Sequence, residues 1–445
     1  MLSSGASRFA LVGPGLSSPR TVPYRGLGVP LWETAGAAPT LDLNFAENRT
    51  LLDSVTGQNL VTFTRASAGT YVGSDGLIKT AAENVPRFDH DPVTGACLGL
   101  LVEEQRTNLL VRSGEFDDPR WNKVLGSITV DSAIAPNGAL AAEVFIPSAS
   151  PGLPYSQQTA TVTSGTVYTW SVFLKAAGYR WIFLDAFDGN NRRSYFDLQT
   201  GTVGNTAPGN TSTITDFGNG WYRCSMTRSA GSNSVAYAVA VATSNGGISM
   251  IGDGTSGIYL WGAQLEARAF PTSYIPTTAS AATRSADVAS ISGSNFSSWY
   301  RQDEGTVFAD FRIPFASGTQ RILSFQGSGG EIVNDIPLFV FSTAGKAVSG
   351  NVFSSSVNSG RIDVNENYAS SISTRAAYAV KPGDRAITSK GDAVVPASTA
   401  FAMPVITTLL IGEQGGGGAV LNGTIRRLTY WPQRLSNSTL QTITQ

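Results

Sequence analysis

Over most of the chain, apolar and polar side chains alternate in short stretches that Gly, Asn, Asp, Ser or Pro interrupt. A period of 2 places successive side chains on opposite sides of an extended backbone, so each stretch predicts a half-buried β-strand. LDLNF (41–45) and LVTFT (60–64) read as two strands, with SVTGQN (54–59) as a hairpin-type turn between them. In GLLVEEQRTNLL (99–110), Leu100 and Val102 fall on one side and Leu101 on the other, and Glu103, Glu104 and Arg106 follow at once. From 113 to 285 the pattern repeats as SITVDSA, AAEVFIP, Val167 to Leu174, YRWIFLDAF, SYFDL, GWYRCSMTR, VAYAVAVAT and GIYLWGAQLE. Turn residues separate these by roughly ten to fifteen positions, as in a β-sandwich. After a Thr/Ala/Ser linker at 277–287, GTVFADFRIP (305–314) and RILSFQG (321–327) resume the alternation, whereas 331–400 is too irregular for strands to be assigned. At the chain's other end, Ser436 is placed to cap a short closing helix containing Leu440.

Residues 1–40 break the pattern. Five prolines (Pro14, Pro19, Pro23, Pro30, Pro39) and six glycines exclude a regular strand or helix, because proline fixes φ and removes a backbone donor. The segment reads as an extended arm. Phe9, Leu11, Leu16, Tyr24, Leu31 and Trp32 are spaced as anchors for docking on a neighbouring subunit; an arm folded back on its own domain is the alternative.

At 445 residues the chain is long enough for two or three domains. Charged residues are 14% of it, against roughly 25% in ordinary soluble domains, and Gly numbers 48, which again favours strands and turns over helical bundles. With a formal net charge of −1 and no basic stripe, nucleic acid is not an expected partner. No apolar run approaches the ~18–20 residues of a membrane span, so no membrane insertion is expected. Near the N-terminus, Arg8 interrupts the one short apolar patch, and no export signal develops. Cys97 and Cys224 are expected as free thiols, and no cofactor is implied. His90, the only histidine, lies between Asp89 and Asp91; zinc and Ser-His-Asp chemistry both lack parts, and it reads as a turn residue.

One stretch carries candidate chemistry. In Tyr179 to Phe187 one face presents Tyr179, Trp181, Phe183, Asp185 and Phe187, and the other Arg180, Ile182, Leu184 and Ala186. The aliphatic face suits a core. An aromatic row with a carboxylate can stack on sugar rings and accept their hydroxyl hydrogens, so Tyr179, Trp181 and Asp185 are the candidate glycan-binding residues. Burial of both faces is the competing reading. DAFDGNNRRSYFD (185–197) offers oxygen ligands, but Arg192 and Arg193 oppose a cation and the segment reads as a turn; no metal site is expected. Gly415 to Gly418 lacks the Lys-Ser/Thr of a phosphate loop. Glu103, Glu104, Glu115, Asp117, Asp118, Asp185 and Glu266 could serve a glycosidase, but nothing pairs any two, and no catalytic residue is assigned. For Glu103, Glu104 and Arg106, a receptor or metal site stands against a structural ion pair.

The segment 64–112 resembles tailed-bacteriophage virion proteins, through Arg65, Ser67, Tyr71, Gly76, Pro86, Arg87, Asp89, Asp91, Gly99 to Leu101, Glu103, Arg106, Thr107 and Asn108. GNGWYRCSMT (218–227) and 252–291 extend the resemblance to roughly 40–290. Trp170 to Ala176 and Ile258 to Glu266 resemble strands of jelly-roll carbohydrate-binding modules. Gly423, Ile425, Leu428, Trp431, Leu435 and Ser436 resemble the last strands of concanavalin-like and laminin-G-like sandwiches. Together these imply an all-β chain of tandem β-sandwiches: an arm (1–40), a short strand segment (41–112), a jelly-roll carbohydrate-binding-like domain (113–285) and a concanavalin/laminin-G-like sandwich (286–445). The implied function is a non-enzymatic virion structural protein of fibre or adhesin type, assembled in the host cytoplasm. Its arm would anchor it to other virion proteins through Phe9, Leu11, Tyr24 and Trp32. A homo-oligomer, a trimer by analogy with fibres, and a bacterial surface polysaccharide are the further partners implied. A capsid decoration protein without ligand and a polysaccharide-depolymerising tail spike are the alternatives.

Overall fold

The computed structural model describes residues 31–315, 318–329, 333–341, 347–365, 373–415 and 418–445. The arm residues Phe9, Leu11, Leu16 and Tyr24 lie outside them. The described chain is all-β and forms two sandwiches, each of two sheets packed face to face.

In the middle sandwich, sheet I runs Thr211–Asp216, Tyr222–Ser229, Val167–Ala177, Gly257–Ala267, Leu140–Pro147, Gly126–Ile134. Sheet II runs Thr202–Thr206, Ser194–Asp197, Trp181–Phe187, Ser234–Ala242, Tyr155–Thr161, Asn122–Val124. Val167–Ala177 is paired on both edges, and its interior is buried on both faces. Trp170 from this strand meets Trp121 at 6.3 Å in the core, with Phe116, Phe145 and Phe196 beside them. Each indole is satisfied: Trp121 Nε1–H donates to the Arg112 carbonyl and Trp170 Nε1–H to that of Ala238. Buried tryptophans need such partners, because an unpaired N–H in the core costs about 1–3 kcal/mol.

The second sandwich is not confined to 286–445. Sheet III orders Val395–Ala397, Asp384–Ser389, Thr374–Lys381, Gly305–Arg312, Gly423–Trp431, Cys97–Val102 and Phe88–His90, and Leu41–Leu43 also pairs with Gly423–Trp431. Sheet IV begins with Thr62–Thr64 against Val288–Ser292 and continues through Thr408–Ile411, Thr319–Gln326, Asp335–Phe341, Ala347–Gly350 and Ile362–Asn365. Residues 41–112 therefore do not stand as a segment of their own. Their apolar side chains (Leu41, Leu43, Phe63, Leu100, Val102) complete the same core as Ile322, Leu338 and Leu409. The hairpin expected at 54–59 is also corrected. A turn forms there, with Leu52 bridged to Asn59, but the strands on either side enter opposite sheets. Alternation alone cannot report which sheet a strand joins.

The arm differs as well. Leu31–Ala35, free of proline, is a short helix that packs its Leu31 and Ala35 on the outer side of sheet III, against Phe308, Trp431, Leu440 and Ile443. Trp431 Nε1–H donates to the Ala37 carbonyl, and the Thr40 N–H to that of Tyr430. Residues 31–40 thus fold back on their own chain, and Trp32 stays 37% exposed. The closing helix Asn437–Thr444 forms as expected, with Ser436 Oγ accepting from the Thr439 N–H at 3.1 Å.

The chain leaves the second sandwich after Val102 and returns before Val288, and the ladder Arg106–Asn108 against Ala282–Arg284 forms the neck. Beside it lies a buried charge cluster. The Asp287 carboxylate accepts from Arg65 at 3.1 Å and from Arg87 at 2.5 Å, and also from the Glu103 N–H. Glu103 pairs with Arg87 at 2.8 Å and with Arg284, and takes two further bonds from Ser273. Excess arginine hydrogens go to carbonyls of Ser67, Thr70 and Ala82. Burial alone would raise the Glu103 pKa, but Arg284 and Arg87 outweigh it and hold it down at about 2. Arg106 pairs with Glu104 and lies over the Phe270 ring. These groups are ion pairs tying both crossings of the neck together.

Two expectations follow. Asp287→Asn leaves Arg65 and Arg87 buried with one formal charge too few opposite them, and should cost about 3–5 kcal/mol in urea unfolding. At the end of the middle sandwich Glu143, 4% exposed, accepts from the Asp117 N–H at 3.0 Å; burial, then the nearby Asp117 carboxylate, pushes its pKa up to about 8. A raised carboxyl pKa means the native state holds a proton that the unfolded chain has released. Stability is then full below about 4.5 and falls as pH rises toward about 8. Glu143→Gln should flatten that slope, read as a higher Tm for the variant than for wild type at pH 8.

Candidate functional site

Strand Trp181–Phe187 lies third from one edge of sheet II and turns Ile182, Leu184 and Ala186 into the core. Its outward residues face a regular row. Ala242 lies beside Trp181, Ala240 beside Phe183, Ala238 beside Asp185 and Ala236 beside Phe187. Beyond that alanine stripe, Tyr155, Gln157 and Thr159 pair with Ala240, Ala238 and Ala236. Small residues between larger ones leave a strip two strand spacings or roughly 9–10 Å across. Ala240 and Ala242 in it are buried under Phe183, Tyr195, Tyr155 and Trp181, so the strip opens as a shallow trough only toward Ala236 and Phe187. One wall is Trp181, Phe183 and Phe187, and the other is Tyr155 with its polar neighbours.

The trough is not uniformly open. Phe183 is 1% exposed, held against Tyr195 at 5.0 Å and under the Arg193 guanidinium at 5.0 Å. Tyr195 donates its hydroxyl hydrogen to the Gly247 carbonyl, drawing loop 243–250 over the Trp181 end. Trp181 remains half-buried, with Arg180 over its ring at 5.7 Å, and Phe187 is 46% exposed. Past the second wall residue, toward the sheet edge, Asn191, Arg193, Tyr195, Asn205, Thr206 and Ala207 line a depression of ≈ 240 Å³. Asn205 and Asn245 exchange hydrogen bonds across its rim.

Of the three residues singled out from the sequence, the structure brings Trp181 and Asp185 to this face. Tyr179 is elsewhere: its N–H donates to Gly257 of sheet I, and its ring packs at the rim of the core. The chain crosses between sheets at Gly178, whose φ of +109° a side chain would rarely adopt. The row expected from Tyr179 to Phe187 therefore begins at Trp181 and keeps four residues, Trp181, Phe183, Asp185 and Phe187. Asp185 is 5% exposed and committed: it accepts from Arg193 Nε at 3.2 Å and from the Arg192 N–H at 2.7 Å. Arg193, Asn191 and Asn205 are the donors that sequence reasoning passed over. The alternation in VAYAVAVAT held the signal, since alanine at every outward position leaves room for the larger side chains of the neighbouring strands to close over it.

His90 is in a strand and not a turn; its ring is buried and Nδ1–H donates to the Val72 carbonyl at 2.9 Å. Cys97 and Cys224 are free, and burial pushes the Cys224 thiol well above its usual range. Among the described residues no group of acidic, histidine or cysteine side chains could hold a metal ion.

No protein-family model matches this chain, and neither does any curated protein. Solved structures do. The carbohydrate-binding module CBM40 of the Ruminococcus gnavus IT-sialidase aligns at 14% identity and TM-score 0.29, over 33% of this chain and 84% of that one. A SAP-like pentraxin of Limulus polyphemus aligns at 15% identity and TM-score 0.27, over 32% and 70%. Trypanosoma rangeli sialidase in complex with the inhibitor DANA aligns at 10% identity and TM-score 0.27, over 68% and 60%. At TM-scores this low the likeness assigns neither ligand nor activity.

The two outward phenylalanines should respond differently to truncation. Phe183→Ala empties a closed site and should cost about 3–5 kcal/mol. Phe187→Ala removes a half-exposed ring and should stay within about 0.5 kcal/mol. Equal losses in denaturant titrations would show that the trough is covered along its whole length.

Proposed function

We propose that the chain is a non-enzymatic glycan-binding component of a virion, which uses the outer face of sheet II to hold a bacterial surface polysaccharide. The observation that carries the reading is the outer face of sheet II, where half-buried Trp181 and half-exposed Phe187 flank a depression lined by Asn191, Arg193, Tyr195 and Asn205. A sugar ring can lay its C–H face on an indole while fixed amide and guanidinium donors meet its hydroxyls. The Asp185 carboxylate, neutralised by Arg193, positions that arginine rather than acting on a substrate. The virion assignment rests on the resemblance over 64–112, most of whose charged positions build the neck cluster and so serve architecture. Attachment through the 1–40 arm, with exposed Trp32 among its anchors, belongs to the same proposal. Many displayed copies would multiply a weak single-site affinity without new contacts.

The test is incubation of the purified full chain with host surface polysaccharide, followed for both retention and chain length. Retention without shortening is expected, and Trp181→Ala should remove retention while circular dichroism stays that of the wild type. Release of reducing ends would make the protein an enzyme, and neither retention nor release would make it a ligand-free decoration; either result ends this reading.

A further inference from the structure

Residues 243–249 run from the end of strand Ser234–Ala242 to Met250 and lie across the Trp181 end of the sheet II face. Both ends of this loop are fixed. Ala242 pairs with Trp181 in the ladder, and Gly152 and Met250 exchange N–H···O bonds at 3.0 and 2.8 Å. What lies between is held differently. No side chain from Thr243 to Ser249 is buried, and the one large apolar group among them, Ile248, is 56% exposed. Among the described residues, three hydrogen bonds fasten the loop to the sheet. Asn245 Oδ1 accepts from the Asn205 N–H at 2.7 Å, Asn245 Nδ2 donates to Asn205 Oδ1 at 3.2 Å, and the Tyr195 hydroxyl donates to the Gly247 carbonyl at 3.2 Å. A segment with no buried apolar anchor and exposed hydrogen bonds opens far more readily than the strands beneath it.

The loop tip stands against the indole. A Cβ added at Gly204 would meet Asn245 Oδ1 at 2.5 Å and Trp181 Cζ3 at 2.9 Å, so the Asn245 amide and the edge of the Trp181 ring press on the same spot. Resting on the glycan reading above, we infer that loop 243–249 is a latch on the sheet II site: closed, it screens the Trp181 ring; open, it frees the indole edge, the Asn205 amide and the Tyr195 hydroxyl together. Those freed amide and hydroxyl groups are of the kind that bond sugar hydroxyls, so a bound chain replaces the bonds whose loss lets it in. The open fraction of the loop then scales the apparent affinity of the site.

Two measurements test the latch, the first without ligand. Hydrogen exchange on the wild-type chain compares the Asn205 amide, whose partner is the loop, with the Leu184 amide in the strand beneath. The Asn205 amide should exchange at least about a hundredfold faster. Equal rates would mean that the loop opens only when the sandwich unfolds, which overturns the inference. The second measurement is retention of host surface polysaccharide. Asn245→Ala removes two of the three fastening bonds and should tighten binding by about twofold to tenfold, the gain in open population that one net hydrogen bond withholds. Unchanged or weaker binding by this variant overturns the latch. Joining the two sides through Asn205→Cys with Asn245→Cys should abolish retention when oxidised and return it on reduction, with oxidant-treated wild type as the control. Equal retention in both redox states, with Trp181→Ala still inactive, removes the latch and leaves the glycan reading standing. Retention by neither wild type nor Asn245→Ala ends the glycan reading, and with it the latch as a device of that site.

Discussion

Two carboxylates hold this molecule in its shape. Asp287 and Glu103 sit at the points where the chain enters and leaves the middle sandwich, and each is gripped by two arginines from distant parts of the sequence. Such a cluster does not necessarily add net stability, because taking five charges out of water is costly before any attraction is counted. What it supplies is geometry. Guanidinium forks and backbone N–H groups admit one mutual placement of the neck strands, and the position of each sandwich follows from that placement. Phe270 and Phe315 come from the two sides of this junction and stack at 5.7 Å only because the neck is fixed.

The cluster also explains what the sequence did and did not disclose. Arg65, Arg87, Glu103 and Arg106 were conspicuous as charged residues beside apolar strands, yet a linear reading could not choose between a ligand site and an ion pair. The deciding partners, Arg284 and Asp287, lie some 180 positions further on, in what reads as a bland Thr/Ala/Ser linker. Strand existence was legible because period 2 is local. Sheet membership was not: Leu41–Leu43 and Thr62–Thr64 both alternate with period 2, yet join opposite sheets. The irregularity of 331–400 has a similar origin, since strands such as Asp335–Phe341 are buried on both faces and lose the alternation that identifies a strand.

At the candidate site the same limits apply in miniature. The aromatic row from Trp181 was readable from alternation, and Tyr179 was included only because nothing in the sequence marks the crossing at Gly178. Asp185 appeared as a free acceptor until Arg193, eight residues on, was seen to fold back on it. The functional weight thus moves from a carboxylate to donors. That is a change in the kind of hydroxyl interaction the face can make, and it follows from one hairpin's geometry.

The threading of the second sandwich bears on how the protein is made. Strand Gly423–Trp431 is the common neighbour of Leu41–Leu43, Cys97–Val102 and Gly305–Arg312, so it joins the earliest part of the described chain to nearly the last. During synthesis at roughly 5–20 residues per second, Cys97–Val102 would wait about 15–60 s for that partner. The middle sandwich, complete in itself between those strands, can close in the interval. A ribosome would therefore release a finished inner module tethered to an unfinished outer one, whose early strands are kept short and are bordered by charge until the last one arrives.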